Sequence, residues 1–161
     1  MKKLLLLALL LCGISQAWAD TWTDGNGIVW SFNVEGGNAT DIYPFYYPSG
    51  NVVIPEKVRY GGRYLTVKSI GRRAFQNNYN MTSVTIPSSV TSIGRNAFEG
   101  CSSLQKVIVP DIAAWCGIDF EDDYANPLYC AKHIYSDENT EIKYLTIPEG
   151  VTSIGGSAFM Y

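Results

Sequence analysis

The chain has 161 residues, with 12 lysines and arginines against 15 aspartates and glutamates, and a formal net charge of −3. This acidic balance lacks the basic footprint of a nucleic-acid-binding protein, so we exclude nucleic acid as a partner. The length is that of a single domain with a hydrophobic core of its own.

Residues 1–19 have the pattern of a secretory signal peptide. Two lysines precede an apolar run over residues 4–11, and residues 17–19 read Ala-Trp-Ala, an A-x-A cleavage site. The apolar run is shorter than the roughly 20 residues of a transmembrane helix. We therefore expect a mature chain that begins at Asp20, has no transmembrane helix and is secreted or displayed on the cell surface. Lipidation of Cys12 is an alternative, but Leu11 stands where a lipobox has a small residue.

Residues 20–49 predict an N-terminal β-hairpin cap. Residues 28–34 alternate in polarity as a strand does, Gly36-Gly37 indicates a turn, and residues 39–43 form the return strand. Such a hairpin would cover the first exposed edge of the structure that follows. Four aromatic residues end this region: Tyr43, Phe45, Tyr46 and Tyr47. They fit either apolar cover for the end of the fold or a patch that stacks on a ligand, and we favour cover.

Residues 50–161 repeat with a period of 23 residues. The separation is 23 from Phe75 to Phe98 and again from Ile70 to Ile93. A fixed period of this length predicts a β-rich solenoid of short parallel strands and single helical turns. Equivalent isoleucines and phenylalanines should then form buried ladders, in which each phenylalanine packs on the next.

Three glycines follow the second arm of each copy: Gly71, Gly94 and Gly155. Glycine adopts positive φ without a steric penalty, so we expect these residues to turn the chain with positive φ. The Ala-Phe pair that follows each glycine should form the single helical turn.

The pattern breaks at about residues 111–143 and ends in mid-repeat at Tyr161. Three residues are expected to replace the apolar side chains of the missing arm: Trp115, Ile118 and Phe120. Residues 133–135 and 141–144 flank a polar turn and predict a hairpin. An end without a polar terminal cap favours a fragment of a longer protein.

At this point the resemblance to a known family is specific. The pattern L-x-x-V-x-I-P-x-x-V-x-x-I-G-x-x-A-F-x-x-C-x-x-L, from about Asn51 to Tyr161, resembles the BspA-like, or Treponema-type, leucine-rich repeat. Proteins of that family are mostly bacterial and lie on the surface or are secreted. Some attach to host proteins or to other cells. The resemblance implies a binding or adhesion function for this chain.

The residues predict neither an enzyme nor a cofactor or metal site. His133 is the single histidine, and no nucleophile elbow, HExxH or glycine-rich phosphate loop is present. The acidic run at residues 119–123 lacks the ligand spacing of a calcium loop and fits a solvated loop. Of the cysteines beyond the leader, Cys101 fits a buried repeat position. Cys116 and Cys130 are either free thiols, which we favour, or a disulfide formed after export.

Two surfaces are candidates for binding. By the repeat alignment, two outward rows cross the strands of the predicted sheet: Ser83, Lys106 and Tyr144, and Thr85, Ile108 and Thr146. The equivalent positions Arg72 and Arg95, with Arg73 and Lys68 nearby, also build a candidate basic strip. This strip would suit a sulfated glycan or an acidic protein, but we slightly favour ordinary solvation of a non-core face.

Charge also differs along the chain. Residues 56–106 contain eight basic and two acidic residues, whereas residues 107–161 contain two basic and nine acidic residues. Head-to-tail self-association of opposite ends is therefore one predicted partnership. The main hypothesis is a non-catalytic secreted or cell-surface repeat protein that binds an extracellular protein or glycan. The alternative is a structural spacer or fragment without a ligand of its own.

Overall fold

The computed structural model describes residues 19–160, so the expected signal peptide at residues 1–19 lies almost wholly outside them. This part of the chain is rich in strands and poor in helix. Its strands are β1 (Asp20–Thr23), β2 (Val29–Glu35), β3 (Asn38–Pro44), β4 (Gly50–Val53), β5 (Lys57–Tyr60), β6 (Arg63–Thr66), β7 (Ser69–Ile70), β8 (Met81–Thr85), β9 (Ser92–Ile93), β10 (Lys106–Ile108), β11 (Asp119–Phe120) and β12 (Ile134–Tyr135). Its helices are α1 (Ile112–Cys116), α2 (Leu128–Ala131) and a 3-10 turn at Asp123–Ala125. Within residues 19–160 no helix has both the length and the apolar character needed to cross a bilayer.

The first arms of successive copies pair in a parallel sheet of order β12-β10-β8-β4. Val52 lies beside Val84, Val84 beside Val107, and Val107 beside Ile134. The step from Val84 to Val107 is the sequence period, so the repeat places equivalent residues side by side. These four aliphatic side chains point to the core, and the three valines are fully buried.

The second arms pair in another sheet, of order β1-β2-β3-β7-β9-β11. Ile70 of β7 lies beside Ile93 of β9, which lies beside Phe120 of β11, all in parallel. The predicted hairpin is confirmed as the antiparallel pair β2 and β3. Strand β3 also pairs in parallel with β7 at Ile42, so this sheet continues into the repeats. Strand β1, which the sequence analysis did not predict, adds an antiparallel edge to β2.

The core contains the predicted ladders over the regular copies. Phe75 and Phe98 are fully buried and stack with ring centroids 5.1 Å apart and an interplanar angle of 10°. Ile70 and Ile93 are likewise fully buried. Burying one such side chain contributes about 1.5–3 kcal/mol, so stacked copies stabilise one another.

The prediction that the three glycines have positive φ is wrong. Gly71, Gly94 and Gly155 do not have positive φ; the left-handed position comes two residues later, at Arg73, Asn96 and Ser157, with φ of 58°, 60° and 65°. The glycines are needed for close packing instead. A Cβ on Gly94 would lie 2.6 Å from the Arg72 backbone nitrogen, and one on Gly155 would lie 2.2 Å from the Ile118 carbonyl oxygen.

The expected helical turns are also replaced by another structure in the regular copies. After Gly71 the chain forms four-residue turns, in which Ala74 N–H donates to Gly71 O and Gln76 N–H donates to Arg73 O. The positive φ of Arg73 interrupts the right-handed helical path, so no helix forms. The helices lie in the irregular segment, where the Asp111 carboxylate caps α1 by accepting from Ala114 N–H.

The irregular segment replaces the apolar residues of a regular copy, as predicted. Trp115, Ile118 and Phe120 are buried, and Trp115 packs edge-to-face on Phe120 at 5.2 Å. Strands β5 and β6 form an antiparallel hairpin whose turn lies between residues 60 and 63. The predicted pairing around residues 133–144 is confirmed by an antiparallel bridge between Tyr135 and Glu141.

The last copy departs from the ladder expectation. Ile154, the equivalent of the fully buried Ile93, is 50% exposed. This copy rests on the irregular segment, because Gly155 N–H donates to Cys116 O at 2.7 Å and the Trp115 indole donates to Ala158 O at 2.9 Å. Only its Ala158 is buried among its large and small apolar positions.

Candidate functional site

The two predicted outward rows are only partly present on the first sheet. Ser83 lies beside Lys106, and Thr85 lies beside Ile108, in the expected register. Tyr144 and Thr146 do not continue these rows, because β12 rather than residues 144–146 pairs with β10.

The change of neighbouring strand beside β10 has a simple physical origin. The irregular segment brings a strand of its own, Ile134–Tyr135, to the edge of β10 before the next copy begins. Residue Tyr135 therefore occupies the position expected of Thr146, and Tyr144 is 92% exposed. Alignment by period assigned the wrong neighbour to that edge.

Ser83 and Ile108 are buried rather than available as predicted, and a polar hairpin lies beside the same face. The turn after β12 carries Glu138, whose carbonyl accepts from the Lys106 ammonium at 3.3 Å. The same ammonium lies 4.9 Å from the ring centre of Tyr135. Together these contacts hold the hairpin across the outer surface of β10.

The predicted basic strip is divided by its surroundings. Arg95 lies 3.9 Å from the Asp122 carboxylate. Arg73 faces Glu99, and the amides of Asn96 and Gln76, which donate to that carboxylate, together with the Arg73 charge hold the pKa of Glu99 below its usual value. Lys68 is half-buried in the preceding arm. Arg95 and Arg73 therefore each have a carboxylate nearby, whereas Arg72 and Arg73 also border a cavity.

Arg72 and Arg73 instead join the aromatic cluster around a cavity of about 480 Å³, which we call the aromatic–arginine groove. Its lining residues are Tyr43, Pro44, Phe45, Tyr46, Tyr47, Arg72, Arg73 and Ala74. Tyr43 and Arg72 also line a neighbouring cavity of about 290 Å³, whose rim includes Asp41 and Glu121. Tyr43 and Arg72 therefore stand between the two cavities.

Backbone pairing explains why these residues meet. Gly71 N–H donates to Ile42 O at 3.0 Å where β7 runs beside β3. The aromatic residues leave β3 just after Ile42, and the arginines leave β7 just after Gly71. A Cβ on Gly71 would lie 2.9 Å from Asp41 O, so only glycine permits this approach.

The exposure of the aromatic cluster does not fit apolar cover. Its four rings are between 39% and 74% exposed, whereas Trp30, Phe32 and Ile42 of the preceding strands are fully buried. The alternative interpretation, a patch that stacks on a ligand, is the one that this placement supports. The sequence signal was present in the aromatic run, but its proximity to the arginines was not predicted.

The remaining candidate groups have structural contacts. Glu121 accepts from Arg95 N–H at 3.0 Å and Asp122 accepts from Asn96 N–H at 3.1 Å, so acidic side chains cap the turns of the neighbouring copy. His133 contacts Glu141 through Nδ1 at 2.7 Å on the exposed hairpin. These side chains tie together neighbouring parts of the chain.

All three cysteines of the described region are free thiols, so the alternative of a disulfide between Cys116 and Cys130 is wrong. Burial raises the pKa of each of these two thiols. Burial, with a smaller contribution from nearby Cys130, raises the pKa of Cys101 to about 12.

The parallel pairing of equivalent residues defines the class of protein as a strand-rich repeat protein. A family model described as the BspA-type leucine-rich repeat region matches residues 65–117 and 132–161. The chain therefore belongs to the BspA-type leucine-rich repeat family. No curated protein sequence matches it.

Three solved structures are similar to parts of the chain. A leucine-rich cell surface protein from Faecalibacterium prausnitzii A2-165 is 37% identical over 57% of this chain and 24% of its own, with a TM-score of 0.48. A leucine-rich repeat protein from Bacteroides ovatus ATCC 8483 is 27% identical over 82% of this chain and 37% of its own, with a TM-score of 0.35. The pneumococcal vaccine antigen PcpA is 22% identical over 57% of this chain and 29% of its own, with a TM-score of 0.31. The chain spans well under half the length of each of these proteins.

Proposed function

We propose that this protein is a non-catalytic, secreted or cell-surface repeat protein that binds an extracellular protein or glycan. In this proposal its copies stack as a solenoid, and strands β1 to β3 act as the N-terminal cap. The signal-peptide pattern of residues 1–19 supports export. The observation that carries the binding function is the aromatic–arginine groove, where apolar rings and unburied cations meet in one depression.

The non-catalytic part of the proposal is supported by the contacts of the titratable groups. The single histidine of the chain pairs with Glu141 on an exposed hairpin. Three acidic residues of the 119–123 run, Glu121, Asp122 and Asp123, accept from backbone or serine donors, as when Asp123 accepts from the Ser157 hydroxyl at 2.8 Å. These groups stabilise the fold and are not directed at a common reacting position.

Binding of the purified protein to an array of matrix proteins and of sulfated, sialylated and neutral glycans tests the function. We expect saturable binding that weakens as salt rises, because exposed charges are screened within about 10 Å at 0.1 M salt. Folded protein that binds nothing on the array would count against this function.

A structural spacer within a longer array of repeats is the second candidate. The observation that favours it is the exposure of apolar side chains in the last copy, which include Leu145, Ile147 and Ile154. Equivalent positions in earlier copies are covered by a neighbouring copy. The spacer function would be supported by a folded monomer that binds no protein or glycan on the array. Its stability should also increase when a further copy of residues 90–112 is appended.

A further inference from the structure

We propose that the aromatic–arginine groove binds an acidic glycan, that is, a sugar that carries a carboxylate or a sulfate. This inference rests on the proposed binding function and names its ligand class and its site. The rows on the first sheet and the other two cations of the predicted strip are not required for it.

The aromatic side of the groove offers ring faces set at an angle to one another. Phe45 and Tyr46 pack edge-to-face, with centroids 4.9 Å apart and an interplanar angle of 76°. Rings that are mostly exposed form an apolar patch, and such patches mark binding surfaces. The C–H face of a sugar ring matches an aromatic face, and its hydroxyl edge matches the tyrosine hydroxyl groups, because tyrosine joins an apolar body to a polar tip.

The arginine side of the groove selects for negative charge. Within residues 19–160, neither Arg72 nor Arg73 has a carboxylate oxygen within 4.0 Å, and no acidic residue lines the 480 Å³ cavity. Glu99 partly offsets the field of Arg73, and Asp41 and Glu121 line the neighbouring cavity together with Arg72. Within residues 19–160 none of these carboxylates lies within 4.0 Å of either guanidinium, so both arginines keep donors for an anion. A guanidinium donates two parallel hydrogen bonds to a carboxylate or a sulfate, which an ammonium does not match.

The aromatic loop is anchored at both ends, so its rings are preorganised. Phe45 N–H donates to Val29 O at 2.7 Å, and the buried Asn78 amide donates to Pro48 O at 2.9 Å. Pro44 and Pro48 fix φ on either side of the exposed rings. A preorganised site loses less conformational entropy when a ligand binds.

The surroundings favour a glycan over an extended peptide. A peptide that binds by strand addition needs an unpaired sheet edge. Strand β3 beside the groove is already paired with β2 on one side and with β7 on the other. The cavity volume of about 480 Å³ lies in the range of sites for small ligands, and the groove opens to the surface, where a longer glycan can continue.

Isothermal titration calorimetry with three probes tests the inference: 3′-sialyllactose, a sulfated heparin tetrasaccharide and neutral lactose. The groove variants are Arg72→Gln and Tyr47→Ala. The matched controls are Arg63→Gln, on the β5–β6 hairpin, and Tyr79→Ala, since Tyr79 and Tyr47 are both 59% exposed and Tyr79 does not line the groove. Circular dichroism of all four variants establishes that they are folded.

We expect one or both acidic probes to bind, lactose to bind at least about tenfold more weakly, and each groove variant to lose about tenfold or more in affinity. The controls should stay within about twofold of the parent. Binding of sialyllactose but not of the heparin tetrasaccharide would define a carboxylate site. Binding of the heparin tetrasaccharide alone would define a sulfate site, and either result supports the inference.

Equal binding of lactose, or acidic-glycan binding that survives both groove variants, would overturn it while leaving the binding function intact. Binding of a matrix protein without any glycan would overturn the ligand class in the same way. If the parent protein binds none of the proteins and glycans tested, that result would instead contradict the proposed binding function.

Discussion

Single residues at the junctions between copies control how closely the copies approach. Gly94 lies against the Arg72 backbone, and the left-handed turn falls on Asn96 rather than on the glycine. Asparagine adopts the left-handed region more readily than most side chains because its short amide bonds locally. Two residues of the turn therefore have separate roles. The glycine allows close contact between the backbones of neighbouring copies, and the residue two positions later turns the chain.

Gly94→Ala is therefore expected to destabilise the protein by about 1–3 kcal/mol or more, because the new Cβ would lie 2.6 Å from a backbone nitrogen that cannot move aside cheaply. Gly156→Ala is the control, since its Cβ would meet nothing within 4 Å. That control should change stability by no more than about 0.5 kcal/mol. Urea denaturation midpoints of the two variants measure the difference, and equal midpoints would contradict the close-packing role.

Because of Cys101, the free energy of unfolding should depend on pH in the alkaline range. Burial raises the pKa of this thiol from 9.0 to about 12, so between these values the unfolded chain loses a proton that the folded chain retains. The contribution of the protonated Cys101 thiol to folding stability is complete below pH 9.0 and is lost as pH rises towards about 12. Cys101→Ala should remove this component, so the stability difference between parent and variant should narrow above pH 9.0 in denaturation measured from pH 7 to 11. A constant difference would contradict it.

At the scale of elements, the sequence period predicted the pairing of β8 with β10 and of β7 with β9, including its register. It did not predict which strand follows β10, because the irregular segment supplies β12 out of period. Ser83 and Ile108, two of the residues assigned to the sheet surface, are buried, and the hairpin that follows β12 contacts Lys106 between them in sequence. A local pattern cannot show that a later hairpin folds back across an earlier strand.

The turn of that hairpin depends on one carboxylate. Asp137 accepts from the backbone N–H groups of Asn139 and Thr140, both at 2.9 Å, and these bonds with those from the Thr140 and Ser136 hydroxyls hold the pKa of Asp137 below 3.8. The turn should therefore be fully stable above pH 3.8 and loosen as pH falls through the lower folded pKa.

Asp137→Ala should loosen the turn at every pH. Amide hydrogen exchange at Ser136 and Ile142, which donate to Thr140 O and Ile134 O, should then accelerate. The Val84 amide in the central strand is the internal control and should be unaffected. Unchanged exchange at Ser136 and Ile142 would show that the turn does not depend on this carboxylate.

For the whole molecule, the uneven charge has a predicted consequence. The basic residues concentrate between residues 56 and 106 and the acidic ones beyond residue 107, so we propose that two copies of the chain associate head to tail through opposite charges. Sedimentation velocity at low salt should detect association that disappears at 1 M salt, where the Debye length is about 3 Å. Arg63→Glu should weaken it, whereas the charge-conserving Arg63→Lys should not. A monomer at every salt concentration would rule out this partnership.

The period of 23 residues by itself determined the strand-rich repeat, the parallel register and the ladders such as Phe75 on Phe98, because identical copies bury their apolar residues only by stacking in register. Tertiary structure decided the candidate site. Pairing of β3 with β7 brings residues 43–47 to Arg72, a contact between an unrepeated strand and a repeat that periodicity does not encode. The out-of-period strand β12 likewise decided which residues face the solvent on the first sheet, since a strand edge accepts whichever neighbour reaches it with a matching register.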